Sequence, residues 1–370
     1  MMDIISRNFF RLLRAGVFGE EEQIEPMSAW KWRRVYHFSL MHGVVALLYD
    51  GIEKCSSQFF LQLPGDLLDA WKKSAHEMET AYSRQQAVLV ELYATLNRMQ
   101  CRPILTNGQR IAELYELPVH SYAPTIDIFF PFQTQGKKAD KWADENGTNV
   151  NDTKSYVLEY EWKDFKVNHF QRLCRLTNKL LNHSLQNIVE REFRENEASY
   201  LMIGGTKMET TSNTLELLTI LLRISHQMLN DGIKLKQFVD LGILLREVGD
   251  RVDFVRLQGW IDKLGLKRMA QASGWLLVRM FNFTEDEIPF LQSDAKTDVQ
   301  RIFDELFNQE FARQADWYFL QGKDIFVHTS NSSAMMMHVR RSARYSRYYP
   351  SEGFTNFFAS FIHSLSHIEE

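Results

Sequence analysis

Apolar positions recur at helical spacing through the first hundred residues: Phe9, Phe10, Leu12, Leu13 and Val17, then Val35, Phe38, Leu40 and the run Val44 to Leu48, then Leu67, Leu68, Trp71 and the long stretch Met78 to Met99. That period predicts a helical bundle. It breaks at Arg102-Pro103-Ile104-Leu105, a short apolar run closed by Thr106-Asn107-Gly108, which predicts a strand followed by a turn. Gln109 to Tyr115 reads as a helix, Ile126 to Phe130 as a buried strand closed by Pro131, and Lys137 to Glu145 as an exposed helix ending near Gly147. Tyr156 to Trp162 and Phe165 to His169 alternate and meet at Lys163-Asp164, the pattern of an antiparallel hairpin. From Asn213 to Met228 the leucines and Ile224 mark a mostly buried helix. Leu235 to Val248 and Phe254 to Leu264 continue the helical pattern, which runs to about Phe311. A short extended piece at 323–328, an Arg- and Tyr-rich segment and an apolar helix over 354–365 complete the chain.

Composition narrows the class without naming a partner. With 370 residues, 45% of them hydrophobic, the chain can bury a large core. The 43 basic and 47 acidic residues are interleaved and leave a net charge of -4, so no global field recruits nucleic acid. The longest apolar run is too short to span a bilayer and the N-terminus has no cleavable-leader pattern, so a cytoplasmic location is expected. Cys55, Cys101 and Cys174 are widely spaced and odd in number, which fits neither a disulfide framework nor a zinc site. P-loop, GxGxxG and GxSxG patterns are absent.

Several short stretches, in order, resemble a family of bacterial nucleotidyltransferase-like proteins common in surface-polysaccharide gene neighbourhoods. Leu12-Leu13-Arg14-Ala15-Gly16 is similar to its opening, and Gly108-Gln109 with Ala112, Leu114-Tyr115 and Pro118 to its glycine loop and first helix. His226, Gly232, Leu235-Lys236-Gln237 and Asp240 are similar to its later helical segment. The resemblance implies an α+β fold: a small mixed sheet of the nucleotidyltransferase, polymerase-beta-like type over residues 101–210. A helical N-terminal lobe (1–100) and a mainly helical C-terminal lobe (211–370) would flank it.

The resemblance also implies magnesium and a nucleoside triphosphate. Carboxylates at i and i+2 of a strand point to one face, where they hold two ions together with a third carboxylate from the next strand. The family places aspartates at both positions; here they are Thr125 and Asp127. Asn168 stands where relatives carry glutamate, Asn107 where they carry lysine, Ser121 for an arginine and Pro124 for a glycine. Two magnesium ions bring far more charge than one carboxylate offsets. The expected catalytic positions are thus Asp127, also the metal ligand, with Thr125 and Asn168; the expected nucleotide contacts are Asn107, Gly108, Gln109, Lys236 and Asp240. Gly108 reads equally as a plain turn, Lys236 and Asp240 as an i,i+4 pair, and His226 as a packing residue. The functional expectation is a pseudoenzyme or weakly active nucleotide-binding protein, with no cofactor or with magnesium and a triphosphate. The alternative is an active magnesium-dependent nucleotidyltransferase that recruits Glu159 or Glu161. The partners expected are a nucleotide or a protein. Arg340, Arg341, Arg344 and Arg347, among Tyr345, Tyr348 and Tyr349, form the strongest basic cluster, which on a net-acidic chain reads as a solvated or interdomain face rather than a nucleic-acid site.

Overall fold

The computed structural model describes residues 2–154, 156–195, 199–230, 232–292, 299–306 and 342–356. The expectations over 323–328, at Arg340 and Arg341, and over 357–365 lie outside the described residues. The chain opens with four helices, α1 (Ile4–Phe18), α2 (Ala29–Met41), α3 (Val45–Lys54) and α4 (Gly65–Arg98). The sheet region follows as β1 (Ile104–Leu105), α5 (Asn107–Ala112), β2 (Thr125–Phe129), α6 (Gln133–Asn146), β3 (Thr148–Lys154), β4 (Val157–Trp162), β5 (Phe165–Phe170), α7 (Lys179–Glu195), β6 (Ser199–Ile203) and β7 (Thr206–Thr210). The helices α8 (Asn213–Leu229), α9 (Leu235–Val248), α10 (Phe254–Lys263), α11 (Lys267–Phe281) and α12 (Gln300–Leu306) come last.

Among the described residues the seven strands form one mixed sheet in the order β3-β4-β5-β2-β1-β7-β6. It is the α+β arrangement expected. The β4–β5 hairpin turns at Lys163 and Asp164, both with positive φ (50° and 69°), the turn whose twist matches antiparallel strands. The centre of the sheet holds β2, parallel to β5 on one side and antiparallel to the two residues of β1 on the other. Ile126 and Ile128 point into a core with Val167, Tyr160, Ala139, Ala143 and the second half of α4. Phe129 points the other way, into a larger core built by helices from both ends of the chain. The predicted helix after Gly108 stops at Ala112, because the next residues form a 3₁₀ turn at Pro118–Ser121 that reaches back to the N-terminal helices.

Two glycines set the closest approach in the helical core. A Cβ on Gly16 would lie 2.1 Å from the Leu47 carbonyl oxygen, and one on Gly51 only 1.9 Å from that of Leu12, so α1 and α3 cross with backbones touching. Arg14 then donates to the Met280 carbonyl at 2.9 Å, tying α1 to α11. His42 joins α2 to the C-terminal helices, with Nε2 2.9 Å from the Leu306 carbonyl; burial lowers its pKa to about 4, so the ring there is neutral.

The 3₁₀ turn carries a buried histidine between two carboxylates. His120 Nδ1 lies 2.7 Å from Asp50 on α3 and Nε2 lies 3.0 Å from Glu79 on α4. Burial pulls its pKa down, but the hydrogen bonds and charges of Asp50 and Glu79 outweigh burial and raise it above the ordinary 6.5.

Gly51→Ala is expected to lower stability by about 1–3 kcal/mol, read from urea denaturation, because the new methyl meets backbone that cannot move aside. The His120 contribution is fully present below pH 6.5 and is lost as pH rises through its raised folded value. Melting temperature should therefore fall over that window, and His120→Gln should flatten this dependence.

Candidate functional site

Asp127 sits in the middle of β2, in register with Asn168 on β5. Only 9% of it is exposed, and its two oxygens are each taken by an amide donor. Asn107 Nδ2 donates to Oδ2 at 2.8 Å, and Asn168 Nδ2 donates to Oδ1 at 2.8 Å. Burial raises the Asp127 pKa, and the hydrogen bonds of Asn107, Asn168 and Thr125, with the charge of Arg223, counter that rise. The structure brings Asn107, Thr125, Asp127 and Asn168 together, with the three neutral residues serving the carboxylate as hydrogen-bond donors.

The loop residues next to it have local reasons for their identity. Asn107 holds a left-handed backbone (φ 59°), which asparagine tolerates better than most residues and which aims its amide at β2. A Cβ on Gly108 would lie 2.2 Å from the Ala123 side chain, so close packing accounts for that glycine. Gln109 spends its amide on strand β2: its Nε2 donates to the Thr125 carbonyl and its Oε1 lies 3.4 Å from the Asp127 backbone nitrogen. Beta-strand pairing by β1 covers only Ile128 and Phe129, and Gln109 stands in for the missing neighbour. Lys236 and Asp240 form an ion pair on α9, with Lys236 4.8 Å over the Tyr115 ring and the Tyr115 hydroxyl donating to Asp240 at 2.7 Å. No hydrogen bond joins them to the Asp127 group among the described residues. His226 lies 3.0 Å from the Asn230 amide. Tyr345 and Tyr349 are fully buried and Tyr348 nearly so, which places the aromatic half of the basic cluster in the core.

A second charged layer, beyond the reach of the motif reading, lies beside Asp127. Glu216, fully buried on α8, is 3.0 Å from Arg223 Nη2 and 3.8 Å from Arg110 Nε, and accepts from the Thr211 hydroxyl at 2.5 Å. Arg110 Nη1 and Arg223 Nε are buried with no hydrogen-bond partner. Burial lowers the Arg110 pKa, and the Glu216 charge opposes that. Arg223 thus lies between two carboxylates, Asp127 and Glu216, and Arg110 shares the second. The signal was present in the sequence: Glu216 and Arg223 are seven apart, hence on one face, in the otherwise apolar run of α8.

The donor set does not suit magnesium. A hard dication takes oxygen ligands and wants uncommitted carboxylates, whereas both Asp127 oxygens accept amide protons and Arg223 adds positive charge nearby. Among the described residues no group of three His, Cys, Asp or Glu side chains is placed to hold a metal ion. Glu159 is in register with Asn168 and so shares a row with Asp127, two strands away, roughly 9.5 Å between backbones. Glu161 is in the Thr125 row and accepts from Asn149 Nδ2 at 2.8 Å. The three cysteines are unpaired, and no helix among the described residues is long and apolar enough to cross a membrane.

A model of the family described as uncharacterised nucleotidyltransferase matches residues 28–282, more than half of the chain. No curated protein and no solved structure matches. The chain belongs to that nucleotidyltransferase family, and the match covers the whole sheet together with α8 to α11.

Glu216→Gln is expected to destabilise the protein by about 3–5 kcal/mol in chemical denaturation, because it leaves the buried Arg110 guanidinium without its ion-pair partner and takes one carboxylate from Arg223.

Proposed function

We propose that this member of the nucleotidyltransferase family is a pseudoenzyme, or a weakly active nucleotide-binding protein, that keeps the fold while metal-dependent transfer has been lost. One observation carries the reading: both oxygens of Asp127 are held by the amides of Asn107 and Asn168. Phosphoryl transfer to an acceptor needs charge placed on the triphosphate by bridging metal ions. In this chain the carboxylates that would hold those ions are replaced by groups that donate hydrogen bonds instead. Arg110 and Arg223 are committed to Glu216 inside the fold, so their charge holds the Asp127 side of the sheet together. A nucleotide or a protein partner is the class of ligand the reading supports. A place beside surface-polysaccharide enzymes is inferred from the resemblance alone.

The second reading, an active enzyme that uses Asp127 with Glu159 or Glu161, draws on one observation. Glu159 shares the Asp127 row across Asn168, so long side chains on one face could converge.

Thermal melting with magnesium and each nucleoside triphosphate separates the two. The pseudoenzyme reading expects any nucleotide-induced rise in melting temperature to be independent of magnesium. It also expects the double change Thr125→Asp with Asn168→Glu to create a magnesium-dependent rise, by restoring three carboxylates on two adjacent strands. A magnesium-dependent rise in the native chain that disappears in Asp127→Ala and in Glu159→Gln would overturn it in favour of the enzyme.

A further inference from the structure

A cleft of about 810 Å³ opens between α6 and α7, beyond the carboxyl ends of the parallel strands β2 and β5. That volume is in the range of small-molecule sites, roughly 300–1,000 Å³, and the ends of parallel strands are where open sheets commonly receive ligands. Asp127 does not line it. The wall on the α6 side presents Asp140, whose side chain is about one-quarter exposed.

Asp140 is fixed from behind. Gln171 Nε2 donates to its Oδ2 at 2.6 Å, and its Oδ1 lies 3.3 Å from Nδ1 of His169. His169 is completely buried, packs edge-on against Phe130, and its Nε2 lies 3.0 Å from the Tyr160 hydroxyl. Burial holds the His169 ring below its ordinary pKa and pushes the Tyr160 phenol up, so the pair is neutral. The network that satisfies every atom then has the Tyr160 O–H donating to Nε2 and the Nδ1–H donating to Asp140. A neutral histidine orients the carboxylate without cancelling its charge. Asp140 thus faces the cleft as a positioned acceptor, ready for a hydroxyl or ammonium donor.

The same cleft is lined by three cations, Lys137 on α6, Arg172 after β5 and Lys179 at the start of α7. None of them has an ion-pair partner among the described residues. Asp152 and Glu190 also line it, so the cleft is mixed in charge. Mixed charge disfavours a bare polyanion, which the carboxylates repel, and a neutral polyol, which leaves the cations unanswered. A ligand that carries both hydroxyl donors and an anionic group answers each side.

We propose that this cleft binds a phosphorylated polyol, its hydroxyls donating to Asp140 and its phosphate received by Lys137, Arg172 and Lys179. A guanidinium matches a phosphate bidentately and the two lysines add point charges. Backbone walls formed by β4 and buried Val157 and Leu158 give the site a rigid floor. The inference uses no residue of the Asp127 group, so it stands whether or not the protein is a pseudoenzyme.

Calorimetric titration of the full chain without metal tests it, with ribose 5-phosphate as the probe and ribose and inorganic phosphate as controls. Ribose 5-phosphate should bind at least about tenfold more tightly than either control, a difference within reach of one positioned interaction. Lys137→Ala and Arg172→Ala, both at exposed positions that leave the fold intact, should each weaken it several-fold. Asp140→Asn should weaken ribose 5-phosphate while leaving inorganic phosphate unchanged, and Asp127→Ala should change nothing. Glucose 1-phosphate and adenosine 5′-monophosphate then distinguish the source: tighter binding of the first marks a sugar phosphate, of the second a nucleotide. No binding of any of the phosphorylated polyols at millimolar concentration, or binding that Lys137→Ala and Arg172→Ala leave untouched, would overturn the proposal.

Discussion

A carboxylate placed in the central strand of a sheet that is covered on both faces has to find its hydrogen bonds inside the protein. Strand β2 is such a strand, with Ile126 and Ile128 committed to one core and Phe129 to the other. The position of Asp127 between them fixes what its neighbours must be. Water does not reach it freely, so the groups around it donate protons or bring positive charge, and Asn107, Asn168, Thr125 and Arg223 do so. Arg223 in turn requires Glu216, and Glu216 is shared with Arg110, so one buried anion draws in α5, β5 and α8. That demand is met here by side chains.

The helical halves of the molecule are joined by contacts rather than by a shared segment. Helices α1 to α3 and α8 to α11 contribute to one hydrophobic core on the Phe129 side of the sheet, while the second half of α4 covers the opposite side. Between them, the residues after α5 act as a seam. Glu113 accepts from the Tyr82 hydroxyl, Glu116 pairs with Lys54, His120 spans Asp50 and Glu79, and Tyr115 reaches Asp240 on α9. A segment too short to have a core of its own thus holds three groups of helices in register with the edge of the site.

Elements with a strong internal period were legible in the sequence, and those whose reason for existing lies elsewhere were not. The long apolar repeats of α1 to α4, α8 and α9, and the alternation of β4 and β5 around Lys163-Asp164, carry their own signal. Strand β3 reads Thr-Asn-Val-Asn-Asp-Thr-Lys, an edge strand with no apolar face to betray it. Strand β6 exposes Tyr200 and Met202 and joins β7 through Gly204 and Gly205, so its pattern is weak as well. At the site, the family resemblance placed Asn107, Thr125, Asp127 and Asn168 together, since each is anchored to a motif. The Arg110, Glu216 and Arg223 group and the Asp140, His169 and Tyr160 group join residues from separate elements. Their charges are visible in the sequence; their convergence is a property of the packed sheet.

The glycines of the resembling motifs suggest a different use for such patterns. Gly16 lies against the α3 backbone, and Gly108 lies against Ala123. The first is required by the distance between two pieces of main chain, the second by a methyl group packed on main chain. A signature built on such positions is a record of how closely the parts fit, and it can persist unchanged through the gain or loss of a reaction. The chemistry is set at other positions, Thr125 and Asn168, whose side chains answer to Asp127 rather than to the spacing of the chain.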